Sequence, residues 1–172
     1  MVEKKLDKHY FVIGGSLSGV EMASSLNEYL ASLVSVYRLK NTHPKVTLVE
    51  AAPRIVPLMS KTASKKISHA LKKQGVTVLC NKKVTSLGSE SIKIDNKTYP
   101  TETAIWTSGA ANNPFFAANK DSFELTQNGR VVVNPYLEAN EDIYVIGDSN
   151  NVRYSGMALP AIHQATCTAK NI

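Results

Sequence analysis

Six small residues after a short apolar run, Gly14-Gly15-Ser16-Leu17-Ser18-Gly19, carry the first sign of chemistry in this chain. Gly14 permits a tight turn, and Gly19 permits close packing of a following helix on the strand before it. A helix that opens directly after such a turn points free backbone N–H groups and the positive end of its dipole outward, which suits a pyrophosphate. In the pattern G-x-G-x-x-G the second glycine falls on Ser16. Serine is small, and its hydroxyl can itself donate to a phosphate. A purely structural tight turn is the alternative. Three further features close apolar runs: Glu50, then Thr107-Ser108-Gly109, then Gly147-Asp148. In a parallel α/β sheet, ligands bind outside the carboxyl ends of the strands, so these residues fall where a nucleotide would sit. An acid such as Glu50 at the end of the second strand accepts hydrogen bonds from the adenosine ribose and repels a 2′-phosphate. A solvated strand-end glutamate is its plainer reading. No arginine directly follows Glu50; Arg54 comes behind Pro53, which favours NAD(H) over NADP(H).

The elements that would hold these residues follow from hydrophobic periodicity. Tyr10 to Ile13 predicts a buried strand. Met22, Leu26, Leu30, Leu33 and Tyr37 predict the apolar face of a long helix that ends before His43-Pro44. Val46 to Val49 is a second strand, Ser60 to Gln74 a second helix with Ile67, Ala70 and Leu71 inward, and Gly75 its left-handed cap. Val76 to Cys80 is a third strand, with Cys80 buried at its end. Short runs at 84–87, 91–94 and 97–99, with a turn at Asp95-Asn96, predict an antiparallel meander in place of a crossover helix. Ala104 to Thr107 returns as a strand. Beyond Asn112-Asn113-Pro114 the spacing predicts a helical turn at 115–119 and a hairpin around Gln127-Asn128-Gly129. An apolar strand at 142–146 follows, then a helix from Ala161 to Ile172 with Ile162, Ala165 and Ala169 on one side.

Composition narrows the classes. The chain has 172 residues, 43% of them hydrophobic, and a net charge of +6, which suits a globular domain with a sizeable core. The lysine pairs at 65–66, 72–73 and 82–83 are not interleaved with aromatics and read as a solvated face, so no nucleic-acid partner is expected. Cys80 and Cys167 form no C-x-x-C or C-x-x-x-x-C pair, which excludes a dithiol redox centre within this chain. No apolar run nears the ~18 residues of a membrane span. His9, His43, His69 and His163 form no ligand cluster, so no metal is expected.

Several stretches together resemble the flavin-dependent pyridine nucleotide oxidoreductases, and within them the type II NADH dehydrogenases (NADH:quinone oxidoreductases). They are Phe11-Val12-Ile13-Gly14-Gly15 with Gly19-Val20-Glu21, Val46 to Glu50 with Ala51 to Pro57, Ala104 to Gly109, Ile143 to Asp148, and Ala169 to Ile172. The resemblance assigns Gly14, Gly15, Ser16 and Gly19 to the NADH pyrophosphate and Glu50 to its ribose. It places Glu21, expected in the first helical turn, near the nicotinamide; a simple dipole-complementing acid is the alternative. It sets Gly109 beside the dinucleotide, and Gly147 with Asp148 at the ribityl chain of FAD, where a helix N-cap is the alternative for Asp148. The quinone-side pattern A-Q-x-A-x-Q-Q falls on Ala158 to Gln164 and keeps only Gln164 of its glutamines.

The expected architecture is an α/β, Rossmann-like FAD/NAD(P)-binding fold with a parallel sheet and a small antiparallel β-meander. Residues 1–111 form the NAD(H)-binding domain and 112–172 a partial FAD-domain segment. The resemblance implies hydride transfer from NADH to FAD and electron transfer on to a quinone or other acceptor. A soluble NADH oxidase, a ferredoxin-type reductase and a non-catalytic NAD-binding module are the rivals. The chain looks like the central part of such an enzyme, working in the cytoplasm or at the cytoplasmic face of a membrane. Membrane attachment is expected through regions outside it, and the strand at 143–146 is expected either to dock on the first unit or to pair with a second copy in a homodimer.

Overall fold

The computed structural model of the chain describes residues 6–109 and 111–172, in two units, Met1–Gly109 and Ala110–Ile172. The first is built on a parallel sheet of β1 (His9–Ile13), β2 (Lys45–Val49), β3 (Thr77–Leu79) and β7 (Thr103–Trp106), in the order β3-β2-β1-β7. Val12 pairs with Leu48 on one side and Ile105 on the other, so β1 is central. Its alternate side chains go to opposite faces. Tyr10 and Val12, with Val46 and Leu48, pack under helices α1 (Leu17–Val36) and α2 (Lys61–Lys73). Phe11, Ile13 and Val49 pack on Ile92 and Ile94 of the antiparallel meander β4 (Val84–Leu87), β5 (Ser91–Ile94), β6 (Lys97–Pro100). The sheet is covered on both faces, which is why its strands are continuous apolar runs.

Helix α1 keeps Leu26 and Leu30 of the predicted face inward, but its stripe is rotated from the predicted one. Gly19, Ala23 and Leu30 are buried, while Met22 is 40% and Tyr37 49% exposed. The glycine sets the phase: Gly19 must face the end of β1, and the residues four, seven and eleven on are then Ala23, Leu26 and Leu30. Glu21 is the fifth residue of α1 and exposed, so it lies beyond the first turn and does not complement the dipole there.

Helix α2 is capped at both ends as its sequence demands. The Ser60 hydroxyl accepts from Ala63 N–H at 3.1 Å. At the other end Val76 N–H donates to Leu71 and Gly75 N–H to Lys72, with Gly75 at φ +97, a Schellman closure. Ser64 is buried in place of the predicted Ala70, because its hydroxyl donates to the Ile55 carbonyl at 2.8 Å. Cys80 lies past β3 and is half-buried, not buried.

In the second unit, α3 (Pro114–Ala118) is capped by Asn113, whose side chain accepts from Phe115 N–H. The predicted hairpin is reduced to its turn and one antiparallel bridge, Leu125 to Val131. Val131 also pairs with Asn150 in parallel, which pulls it away from a longer hairpin. The expected strand at 142–146 shortens to β9 (Ile143–Tyr144), paired with β8 (Glu138–Asn140). Asp142 at φ +56 interrupts it before Ile143; past Tyr144 the Val145 N–H still donates to the Leu137 carbonyl at 3.0 Å, while its side chain joins Phe123 and Val131 in a small core. Helix α4 (Ala158–Asn171) starts earlier than predicted and is turned the other way. It buries Gln164 and Thr168, and Ile162, Ala165 and Ala169 face outward.

Candidate functional site

All strands of the main sheet are parallel, so Gly14 after β1, Glu50 after β2 and Thr107 after β7 share one edge. Gly14 has φ +111 and donates its N–H to Val49 at 2.8 Å. A side chain there would meet Cβ of Ser108 at 2.8 Å, so conformation and space both require glycine. A Cβ on Gly19 would overlap the Gly14 carbonyl oxygen. Thr107 completes this corner: its N–H and its hydroxyl both reach the Ile13 carbonyl at 2.9 Å. The result is a strand, a turn and a helix in closest contact.

Ser16 is the N-cap of α1, and its hydroxyl accepts from Gly19 N–H at 3.4 Å. Its φ of −69 is ordinary, so the missing second glycine costs the turn no strain. The backbone N–H groups of Ser16, Leu17 and Ser18 find no acceptor among the described residues. They stand at the positive end of a 20-residue helix and can take an anion.

Glu50 braces this turn. One carboxylate oxygen accepts Gly15 N–H at 2.5 Å and the other accepts Ala52 N–H at 2.6 Å. Each oxygen keeps a further lone pair, so a ribose hydroxyl can still donate to it. The loop after β2 folds back over the turn, with Val56 N–H donating to the Gly15 carbonyl at 2.6 Å. The Arg54 guanidinium donates to the carbonyls of Val56 and Pro57, at 3.2 and 2.6 Å. Gly109, exposed at φ +78, turns the chain after β7. Cys80 is at the same edge, where burial pushes its thiol up and keeps it protonated at neutral pH.

In the second unit Gly147, at φ +68, opens a short 3-10 helix (Gly147–Ser149). Asp148 is exposed there and is not that helix's N-cap, which is Ile146; its carboxylate has no hydrogen-bond partner among the described residues. Gln164 is 8% exposed, and its side-chain oxygen accepts Gly147 N–H at 2.7 Å and Asn150 Nδ2 at 2.8 Å. It supports the turn beneath Asp148. Asn150, fully buried, links the same turn to Ser155 and to the Val145 and Val152 backbone.

The structure thus gathers Gly14, Gly15, Ser16, Gly19 and Glu50 at one point of the first unit. It gathers Gly147, Asp148 and Gln164 at one point of the second. Glu21 makes no hydrogen bond to either group. The loop bonds of Arg54 and Val56, and the buried Asn150, escaped the sequence reading, which weighed Arg54 only against a 2′-phosphate. An arginine between two prolines gives no periodic signal, and a buried asparagine looks like any loop residue. No group of three or more His, Cys, Asp or Glu residues among the described residues is placed to hold a metal ion.

A family model described as pyridine nucleotide-disulphide oxidoreductase matches residues 1–166. The type II NADH:quinone oxidoreductase of Staphylococcus saprophyticus is 27% identical over 185 aligned positions, covering 99% of this chain and 45% of the relative. That of Staphylococcus haemolyticus is 29% identical, with the same coverage of 99% and 45%. The chain therefore spans about half the length of the curated relatives it matches. Among solved structures, the water-forming NADH oxidase of Lactobacillus brevis bound to NADH aligns with a TM-score of 0.72 and 24% identity, over 96% of this chain and 36% of that one. The ferredoxin reductase for the CYP199A2 system of Rhodopseudomonas palustris gives 0.72 and 21%, over 96% and 41%. These structures establish the shared fold.

Proposed function

The chain belongs to the pyridine nucleotide-disulphide oxidoreductase family, and from that premise we propose that it is the NADH-binding part of a flavin-dependent NADH dehydrogenase. The observation that carries the reading is the set of free N–H groups of Ser16, Leu17 and Ser18 at the start of α1. The NADH pyrophosphate binds there. Glu50, one strand away, takes the adenosine ribose and repels a 2′-phosphate. Gly109 gives the dinucleotide room beyond β7.

The described residues fit a flavin in one respect: Asp148 offers an unshared carboxylate on a turn held rigid by Gln164 and Asn150. That carboxylate would hold a ribityl hydroxyl. When bound, the flavin supplies the redox chemistry, accepting hydride from NADH and passing electrons on. The residues of this chain bind and orient.

A quinone is the acceptor in the first reading, by likeness to the staphylococcal relatives. A soluble oxidase or ferredoxin-type reductase is favoured by one observation. Leu159 and His163 occupy the two other glutamine positions of the quinone-side pattern, and Gln164 is turned inward. Among the described residues no helix is long and apolar enough to cross a membrane. The parent enzyme is read as cytoplasmic, or as attached to the cytoplasmic face through other regions. Self-association through the half-exposed Ile143 and Ile146 belongs to the same reading, and sedimentation at two concentrations decides it.

Parallel titrations with NADH and NADPH, read by nucleotide fluorescence, test the proposal. NADH binds and NADPH binds more weakly. Failure of NADH to bind, or equal affinity for both, overturns it.

A further inference from the structure

The loop between β2 and α2 has no regular structure, yet it is pinned at every few residues. Glu50 holds Ala52 N–H, Ser64 holds the Ile55 carbonyl, and Val56 N–H holds the Gly15 carbonyl. Its oddest residue is Val56, with φ +44 in the left-handed region and 2% exposed. A β-branched residue there is strained and persists only where its surroundings enforce it. Burial of the Val56 side chain supplies part of that force. Two donors on its carbonyl add to that: Met59 N–H at 2.9 Å, and Arg54, whose fork spans the Val56 and Pro57 carbonyls at 3.2 and 2.6 Å and so helps fix the peptide directly after the strained residue.

The consequence reaches the anion site through one rigid peptide unit. The Gly15 carbonyl and the Ser16 N–H belong to the same planar, trans peptide, so fixing one direction fixes the other. Val56 N–H, at 2.6 Å, draws the Gly15 carbonyl to the loop side. The Ser16 N–H must then point away from the loop. The preceding peptide is held in the same manner by Glu50 on Gly15 N–H.

Resting on the reading of this turn as the dinucleotide site, we infer that Arg54 is a positioning residue: it holds Val56 left-handed so that the Val56 N–H orients the Gly15–Ser16 peptide for phosphate. Arg54 touches no ligand in this scheme. Two of its N–H groups are held inside its own loop, on the Val56 and Pro57 carbonyls.

The test uses the 172-residue chain with three variants, Arg54→Met, Val56→Gly and the double variant. Arg54→Met weakens NADH binding by about tenfold, the scale of releasing one strained backbone conformation. Adding Val56→Gly restores affinity to within about threefold of the wild type, because glycine adopts a left-handed φ unaided. The double variant nonetheless melts at a lower temperature, since the buried Val56 side chain is lost. A merely structural Arg54 gives the opposite pattern: the first variant lowers the melting temperature with affinity unchanged, and the second worsens both. That result overturns the inference. If the wild-type chain does not bind NADH, the reading of the site has failed, and amide exchange decides the positioning role by itself. The Val56 amide then exchanges at least about tenfold faster in Arg54→Met, with β1 amides unchanged. Equal exchange of Val56 in both proteins overturns it.

Discussion

The Glu50 carboxylate accepts the backbone N–H of Gly15 at 2.5 Å, across 35 residues of sequence. With its second bond to Ala52 at 2.6 Å, it joins the end of β2 to the turn after β1. A residue read from the sequence as a discriminator between nucleotides is in the structure part of the frame that shapes the turn before α1.

Glu50→Ala is expected to do two things at once. It removes the charge that opposes a 2′-phosphate, so the gap between NADH and NADPH narrows. It also frees the Gly15 N–H, and hydrogen bonds to a charged group are worth about 1.5–3 kcal/mol each. NADH affinity should fall by at least about tenfold, with NADPH not gaining what NADH loses. Titration of both nucleotides checks this. A clean exchange of preference, with NADPH binding as tightly as NADH did, would show that the brace is unimportant.

Gly19→Val should be the most damaging single change in the turn. Its Cβ meets the Gly14 carbonyl backbone, which has no flexible end to move aside. A loss of about 1–3 kcal/mol in unfolding free energy is expected, together with loss of nucleotide binding. Ser16→Gly should cost only a few tenths of a kcal/mol, as glycine is an acceptable N-cap, and should leave NADH affinity intact. A large drop in affinity with unchanged stability would make the Ser16 hydroxyl a phosphate ligand.

Acid sensitivity is expected at the other end of the sheet. Burial holds the His9 imidazole below its ordinary range, aided by Lys45. Its side chain lies against Phe11 and within 2.8 Å of the Thr47 hydroxyl. A depressed pKa means the unfolded chain binds the proton more readily. The His9 contribution is therefore complete above about pH 6.5 and is lost as pH falls from there toward the folded-state value. Asp7 acts lower. Burial pushes its carboxyl up, but hydrogen bonds from Glu102 and His9 N–H and from the Thr101 hydroxyl outweigh this and leave it below the usual value. Its contribution is present above about pH 3.9 and fades below. Denaturant midpoints measured from pH 7.5 to 5 should fall for the wild type and flatten for His9→Gln. Parallel curves would assign the slope elsewhere.

The chain purified alone should carry no flavin. Among the described residues one glycine turn has the form of a phosphate site, and NADH is assigned to it. Asp148 would offer FAD one carboxylate, the single flavin contact in the proposed reading. The visible absorption spectrum, with and without added FAD, reads this directly. A flavin bound near one per chain and reducible by NADH would contradict the assignment.

How far the sequence could be read depended on the kind of signal. The β1 turn was legible because glycines at fixed spacing, set between an apolar run and a helical run, suit a strand–turn–helix corner and little else. The meander was legible because Asp95-Asn96 marks its turn between short alternating runs. The inward face of α1 was legible only in part: hydrophobic spacing found Leu26 and Leu30 but also selected Met22 and Tyr37, while the phase was set by a steric contact of Gly19 that periodicity does not see. Helix α4 misled for a related reason. Its inward residue is Gln164, chosen by a hydrogen bond to Gly147, and polar side chains do not announce burial. Glu50 shows the same limit, since its bond to Gly15 in another loop depends on three-dimensional placement alone.

The role proposed for the first unit depends above all on whether the start of α1 takes the pyrophosphate. Backbone amide shifts from a nitrogen-edited NMR titration measure this most directly. With NADH, and equally with ADP, the Ser16, Leu17 and Ser18 amides should move downfield, as N–H groups do on gaining a phosphate acceptor. Amides of the meander should stay in place. Shifts confined to other residues, with these three amides unmoved at saturating NADH, would contradict the central claim.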